Sequence, residues 1–288
     1  MKPLFATDIT TNKNNETPNG EEFISRKPSE MYESALKKAE GSADKMEKRT
    51  SLPLPLSILM TACEFAFLIL TVSLIRAFLE VGIRASYINA PWVFYVDGLC
   101  GLGFLALFLI KRKRAKAVLS SDEYKSTVSS LKAVSDGIFA ELGAPSDAVS
   151  VDVLAFMYKN DKKTSELKII NLGLFTFMPL EMKAFVEDGC LHLVNLEARY
   201  SFKLSSLTGI KKIAKRSKLG CWNKDVHFNE GEYKKYNLVS DKYDVIHFKD
   251  YYILTLFENG EELGIYFPCY ELDTLTRLTS LSVTESDL

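Results

Sequence analysis

The sequence predicts a membrane protein of the α+β class. A two-helix transmembrane hairpin is followed by an amphipathic helix and by an antiparallel β-barrel or sandwich that a C-terminal helix closes. Three observations predict this: two long apolar segments flanked by basic residues, a change of hydrophobic period to two beyond residue 150, and a leucine stripe near the C-terminus.

Composition excludes several functional classes. The chain has 36 Lys and Arg against 37 Asp and Glu, so it lacks the basic excess of a protein that coats nucleic acid. The 5 cysteines include no C-x-x-C pair, and the 3 histidines lie far apart in sequence. We therefore expect no disulfide framework, no metal site, no cofactor and no nucleic-acid partner.

Residues 1–50 are polar and contain few large apolar side chains. Such a segment cannot bury enough surface to offset the entropy of ordering, so we expect a flexible cytoplasmic tail. One short helix is predicted from about Glu30 to Ala39, because Ser29 can cap its start and Gly41 can end it.

Residues 51–116 are predicted to form the hairpin, with spans of about 52–76 and 91–110. A helix needs about 20 apolar residues to cross a hydrocarbon core. Glu64 is the charge inside the first span, apart from Arg76 at its end, and Asp97 is the charge inside the second. The alternative, two core helices of a soluble protein, fits the aromatic and basic flanks less well.

Basic residues concentrate at one end of the hairpin. Lys45, Lys48 and Arg49 precede it, and the second span is followed by Lys111, Arg112, Lys113, Arg114 and Lys116. The connection offers only Arg84 beyond Arg76. The positive-inside rule then predicts a multi-pass protein of the cell membrane with both termini cytoplasmic, residues 111–114 at the lipid surface, and the aromatic Tyr87, Trp92 and Tyr95 near the outer interface.

Charged groups within the spans need partners. We interpret Glu64 as a protonated or hydrogen-bonded group in a helix interface; the alternative is a proton or ion pathway in an assembly of several chains. Arg76 and Asp97 either pair across the hairpin or reach the outer headgroups separately. The G-x-G-x-x-A run at Gly101 to Ala106 suggests a dinucleotide loop, but close helix packing explains it better.

Residues 117–288 are predicted to be cytoplasmic. Ser120 and Glu123 form a capping-box pattern that begins an amphipathic helix ending near Gly143. Turn signals follow at Asp188-Gly189 and Asn259-Gly260, and a final helix is expected near Tyr270 to Leu281. The predicted strands are VDVLAFMY, ELKIIN, EMKAFVE, CLHLVN, RYSFKL, TGIKKI, YDVIHF, YYILTLFE and ELGIYF.

The order of these elements carries a family resemblance. FVEDGCLHLVN indicates a strand, a tight turn and a strand, RYSFKLSSLTGIKKI two more strands, and YYILTLFENGEELGIYFPCYELDTLTRL a hairpin running into a helix. From Glu181 to Leu281 the chain resembles a bacterial pleckstrin-homology-like domain. The resemblance implies a small barrel that follows membrane spans. The acidic turn Glu187-Asp188-Gly189 stands where lipid-binding members gather basic residues, which disfavours inositol-phosphate binding.

A polar insertion runs from about Lys215 to Lys242, and a second basic cluster begins just before it. The cluster suggests either contact with an anionic leaflet or a solvated loop. Its members are Lys211, Lys212, Lys215, Arg216 and Lys218.

No pattern of nucleophile and base is visible, so we expect a non-enzymatic membrane-anchored module whose cytoplasmic domain binds a protein partner or the leaflet, with self-association possible. The alternative function is a small oligomeric channel or transport component that uses Glu64.

Overall fold

The computed structural model describes residues 2–8, 13–14, 19–160, 167–169, 175–222, 235–236, 238–240 and 245–285. The protein is α+β, as the sequence predicts. The chain divides into two compact units: a helical unit, Met31–Asp136, and a sheet unit formed by Met1–Glu30 together with Gly137–Leu288.

The helices form where the apolar and amphipathic patterns lie, and the three that begin at residues 30, 54 and 91 are longer than predicted. The prediction that Gly41 ends the first of them is wrong, because that helix continues to Thr50. The helices are α1 (Glu30–Thr50), α2 (Leu54–Val81), α3 (Ile83–Asn89), α4 (Pro91–Leu119) and α5 (Asp122–Glu141). Prolines start α2 and α4 because the first turn needs no backbone N–H there. Gly82, at φ 83°, ends α2. Sequence analysis missed α3, and the cap of α5 is Ser121, whose Oγ accepts a bond from Tyr124 N.

The helices α2 and α4 pack antiparallel along one seam. Half-buried residues of α2 recur every three or four positions, as in Met60, Glu64, Phe67 and Thr71. A Cβ on Gly101 would lie 2.9 Å from the Phe67 ring, and one on Gly103 would lie 3.3 Å from Cys63 Sγ. Close packing by small residues is therefore the role of this glycine run.

Mostly antiparallel strands make up the sheet unit. They are β1 (Lys2–Pro3), β2 (Ala6–Asp8), β3 (Lys13–Asn14), β4 (Phe23–Arg26), β5 (Val149–Asn160), β6 (Leu167–Ile169), β7 (Phe177–Glu187), β8 (Cys190–Val194), β9 (Arg199–Lys203), β10 (Leu207–Ile213), β11 (Ser217–Trp222), β12 (Val239–Ser240), β13 (Val245–Phe248), β14 (Tyr251–Glu258), β15 (Glu261–Pro268) and β16 (Val283–Glu285). The helix α6 (Leu272–Thr279) contributes the buried Leu275 to the core.

The sheet is open, which differs from the predicted barrel or sandwich. Its main path runs β12-β13-β11-β7-β5-β15-β14-β10-β16, and β8, β9 and β4 branch from β7. The branch arises because β7 shares one edge between two strands: Phe177 pairs with Leu219 of β11, and Lys183–Glu187 pair with β8. Among the described strands, no ladder joins β9 or β4 to β10 or β16.

Both predicted hairpin turns form, with positive φ at Asp188, Gly189, Asn259 and Gly260. The strands β11 and β12 were missed because they lie in the polar insertion. The C-terminal helix ends at Thr279 rather than Leu281. Parts of the predicted strands ELKIIN and YDVIHF, at 166, 170–171 and 243–244, lie outside the described residues.

The N-terminal segment belongs to the sheet, so the prediction of a flexible tail is wrong for residues 2–8 and 19–26. Leu4 N donates to Gly264 O, and Phe156 N donates to Phe5 O. Leu4 and Phe5 are buried, and thus the segment bridges β15 and β5. Its few apolar residues fill gaps in a core built from distant sequence, which the local composition does not reveal. Residues 9–12 and 15–18 of the predicted tail lie outside the described part.

A buried carboxylate holds the second part of this segment. Glu258, 7% exposed, accepts bonds of 2.8 Å from the backbone N–H groups of Glu21 and Glu22. Phe23 follows and stacks on Phe202 with 5.1 Å between ring centroids. A Cβ on Gly20 would overlap the Glu258 carboxylate. Gly20 is therefore required for the close approach.

We expect Gly20→Ala to lower the free energy of unfolding of the sheet unit by about 2 kcal/mol, because displacing a buried carboxylate from charge-assisted bonds costs about that much. Hydrogen exchange read by mass spectrometry should show faster exchange in residues 21–26. The matched control is Gly209→Ala, where the nearest atom to a new Cβ is 3.9 Å away. Unchanged protection of residues 21–26 in the Gly20 variant would contradict this role.

Candidate functional site

The charged residues singled out by sequence are distributed over three places. Lys111, Arg112, Lys113 and Arg114 lie on α4, and Glu64, Arg76 and Asp97 lie on α2 and α4 of the helical unit. The second basic cluster lies on and after β10 in the sheet unit.

Lys111, Arg112, Lys113 and Arg114 form a basic ring around α4. Four consecutive helical residues cover a full turn, so their side chains leave the helix in every direction. All four are exposed, directly after the apolar part of the helix. Within the described residues, no carboxylate forms an ion pair with any of them. The ring is therefore a concentrated positive charge that the described chain does not neutralise.

The second basic cluster is partly neutralised. Lys211 forms an ion pair with Glu262, and Lys212 Nζ lies 3.4 Å from Asp250 Oδ2. Lys215 and Arg216 are exposed between β10 and β11, and Lys218 is half-buried in β11. The acidic partners could not be predicted from the local sequence, because they lie beside β14 and on β15, in a distant part of the chain. Lys211 and Lys212 thus have less capacity to bind an external anion.

Glu64 lies in the α2–α4 seam. It is half-buried, next to the level where Cys63 meets Gly103. Its carboxylate makes no hydrogen bond or ion pair with another described residue. Helix rise places it about 15 Å from the start of α2 and about 25 Å from its end. Glu64 therefore lies nearer the ring end than the predicted mid-span position.

Arg76 and Asp97 have different partners, so the first of the two alternatives, a pair across the hairpin, does not form. Arg76 Nε donates to Glu80 Oε1 at 2.8 Å, one helical turn along α2. Asp97 Oδ1 accepts a bond of 3.1 Å from Thr71 Oγ1 in the seam. Thr71 and Glu80 are therefore the partners of these two charged side chains, and neither was considered as a partner from the sequence.

Aromatic side chains gather at the connecting end of the hairpin. The hydroxyl groups of Tyr87 and Tyr95 lie 3.2 Å apart. Phe94 packs against both Phe78, at 5.7 Å, and Tyr87, at 5.4 Å between ring centroids. Trp92 and Tyr95 remain exposed. Amphipathic rings of this kind are typical of a membrane–water interface.

A buried polar cluster in the sheet unit was missed by sequence analysis. His192 Nδ1 lies 2.9 Å from Ser201 Oγ and accepts a bond of 3.2 Å from Arg199 Nε. Arg199 Nη1 donates to Leu142 O at 3.0 Å, beyond the end of α5. Burial lowers the pKa of His192, and the nearby guanidinium of Arg199 lowers it further. The neutral imidazole is an acceptor in a network that ties the end of α5 to the sheet.

The sheet unit should lose stability on acidification. The unfolded His192 titrates near pH 6.5, and because its folded pKa is lower, its contribution is present above about pH 6.5 and is lost as the pH falls through the folded value. We expect His192→Asn to flatten this part of the pH dependence, measured by urea unfolding between pH 7.5 and pH 5. An identical slope in variant and parent would contradict the assignment.

The two helices of the hairpin are long and apolar enough to cross a membrane, with mean hydropathies of 2.3 and 2.1 over their most apolar windows. Comparisons of the chain with family models, with curated proteins and with solved structures find no match.

Proposed function

We propose that the protein is a non-enzymatic membrane-anchored module. The hairpin of α2 and α4 lies in the bilayer and tethers a cytoplasmic sheet unit, which binds a protein partner or the leaflet surface. The observation that carries this proposal is the exposure of both helices: α2 has no buried residue, and Leu107 is the single buried residue of α4.

The exposed apolar surface is too large to leave in water. Its members on the two helices include Leu54, Ile58, Leu59, Phe65, Leu68, Ile69, Val72, Ile75, Leu79, Leu99, Leu102, Leu105, Leu109 and Ile110. Burying one such side chain is worth about 1.5–3 kcal/mol. The sum exceeds the stability of a typical domain, about 5–15 kcal/mol. Because the surface surrounds the hairpin, lipid covers it more simply than a partner protein would.

The sheet supports a topology with both termini on one side of the membrane. β1, β2 and β4 precede the hairpin, yet they pair with β15, β5 and β9, which follow it. A single folded sheet cannot straddle a bilayer, so an even number of spans must separate these strands. The basic ring favours the cytoplasmic side, since the connection holds Arg84 and an Arg76 already paired with Glu80.

The binding role of the sheet unit rests on the resemblance to a pleckstrin-homology-like domain. The order of elements supports it: β7, a tight turn and β8, then β9 and β10, then the β14–β15 hairpin running into α6. The open sheet and the added N-terminal strands are departures from a closed barrel. A protein partner suits the acidic turn at Asp188 better than an inositol phosphate does.

If the hairpin lies in the bilayer, charged residues introduced on its exposed apolar surface should weaken membrane association. Leu68→Lys with Leu102→Lys should shift the protein out of the carbonate-resistant membrane pellet, because each lysine near a span centre costs about 2.5–3.5 kcal/mol in lipid. If these exposed positions faced water instead, lysine would change the free energy of unfolding by no more than about 0.5 kcal/mol.

The control for that experiment is Met31→Lys with Val128→Lys, exposed positions of α1 and α5. It should leave the membrane fraction unchanged. A parent protein that is soluble without detergent, or that a protease added outside intact cells cleaves beyond residue 110, would overturn the proposal.

A second function, an oligomeric channel or transport component, is favoured by the carboxylate of Glu64, which has no partner in the described chain. An unpaired carboxyl group in hydrocarbon is costly and is typical of ion or proton pathways. Glu64→Gln should abolish proton flux in proteoliposomes that contain a pH-sensitive dye, while Glu80→Gln should not. Absence of flux from the parent protein, or unchanged flux from the Glu64 variant, would remove this function.

A further inference from the structure

The basic ring is the largest charge cluster that the described structure leaves without acidic partners. Two carboxylates of the helical unit have other partners: Arg49 pairs with Glu123 at 2.8 Å, and Lys125 lies 3.7 Å from Asp122. Asp122 and Glu123 are the first acidic residues that follow the ring in the sequence, and each already has a basic partner. Within the described helical unit, no carboxylate forms an ion pair with residues 111–114.

The packing of α2 on α4 fixes what lies beside the ring. The contacts of Gly103 with Cys63 and of Asp97 with Thr71 define an antiparallel register. Counting along both helices from these contacts places Lys111 level with the first turn of α2. That turn contains no acidic residue. The neighbouring helix thus adds no negative charge at this level.

The position of the ring along α4 indicates which kind of anion could contact it. The exposed apolar surface of α4 ends at Ile110, one residue before Lys111. If the hairpin spans the bilayer, as the proposed function requires, the ring lies where hydrocarbon gives way to phosphate headgroups. Arginine and lysine at this depth extend toward lipid phosphates while their aliphatic stems remain in the apolar layer.

We propose that the basic ring binds the headgroups of anionic phospholipids around α4, and that it selects them over zwitterionic lipids. A zwitterionic headgroup also carries a phosphate, but its own ammonium group competes with the ring. An anionic headgroup brings a net charge that compensates the ring from all sides. This inference rests on the proposed membrane anchoring.

The test is native mass spectrometry of the full chain released from nanodiscs of equimolar phosphatidylglycerol and phosphatidylcholine. The parent protein should retain phosphatidylglycerol preferentially. The variant K111Q/R112Q/K113Q/R114Q should lose that preference, by about fivefold for each charge removed at the anionic surface.

Two further variants make the result specific to the ring. K37Q/K38Q/K132Q/K249Q removes the same charge from exposed positions outside the hairpin flanks and should keep the preference. K111R/K113R keeps the ring charge and should also keep it, so that loss in the glutamine variant is attributable to charge.

Equal retention of both lipids by the parent protein, or an equal loss in the control and ring variants, would overturn the inference. Failure of the proposed function is a separate result. In that case the parent protein does not enter nanodiscs or the carbonate-resistant pellet at all.

Discussion

The apolar surface of α2 and α4 is the constraint on which the rest of the structure depends. The two helices pack against each other along one seam only, and their remaining faces expose large aliphatic side chains. An isolated helical hairpin in water would have to hide those faces. In the proposed function lipid covers these faces, and the depth of each polar group of the hairpin would then follow from its position along α2 or α4.

Polar groups lie at two heights in the seam between α2 and α4, and only one of the two is hydrogen-bonded within the described chain. Asp97 and Thr71 satisfy each other within the chain, so this layer specifies the register of the two helices. Glu64, about two turns along α2, makes no comparable contact in the described chain. Its distance from the start of α2 places it in the half of the hairpin that ends at the basic ring. A carboxyl group there is easier to reach from the ring side than one at the centre of a bilayer.

Helical elements were predicted well because their signals are local. Length and apolarity identified both long apolar helices, and proline and serine signals located the starts of α2, α4 and α5 to within two residues. Helix ends were located less well, because Gly41 lies inside α1 and α4 continues to Leu119. The hairpins β7–β8 and β14–β15 were predicted for the same reason, since Asp188-Gly189 and Asn259-Gly260 fix the turns. The missed features depend on distant residues. Phe23 stacks on Phe202, Lys211 pairs with Glu262, and Arg199 donates to Leu142 O, and none of these partners is visible in a local pattern.

The order of pairing in the sheet turns the helical unit into an insertion. The chain forms β1, β2 and β4, leaves for the hairpin, and returns to build the remaining strands. The sheet unit is therefore held together across residues 31–136, and Glu258 is one of the groups that secures the early segment. Two chain crossings, rather than one, join the units. Because β1, β2 and β4 pair with strands that follow the hairpin, they cannot take their places in the sheet until that later part of the chain is present.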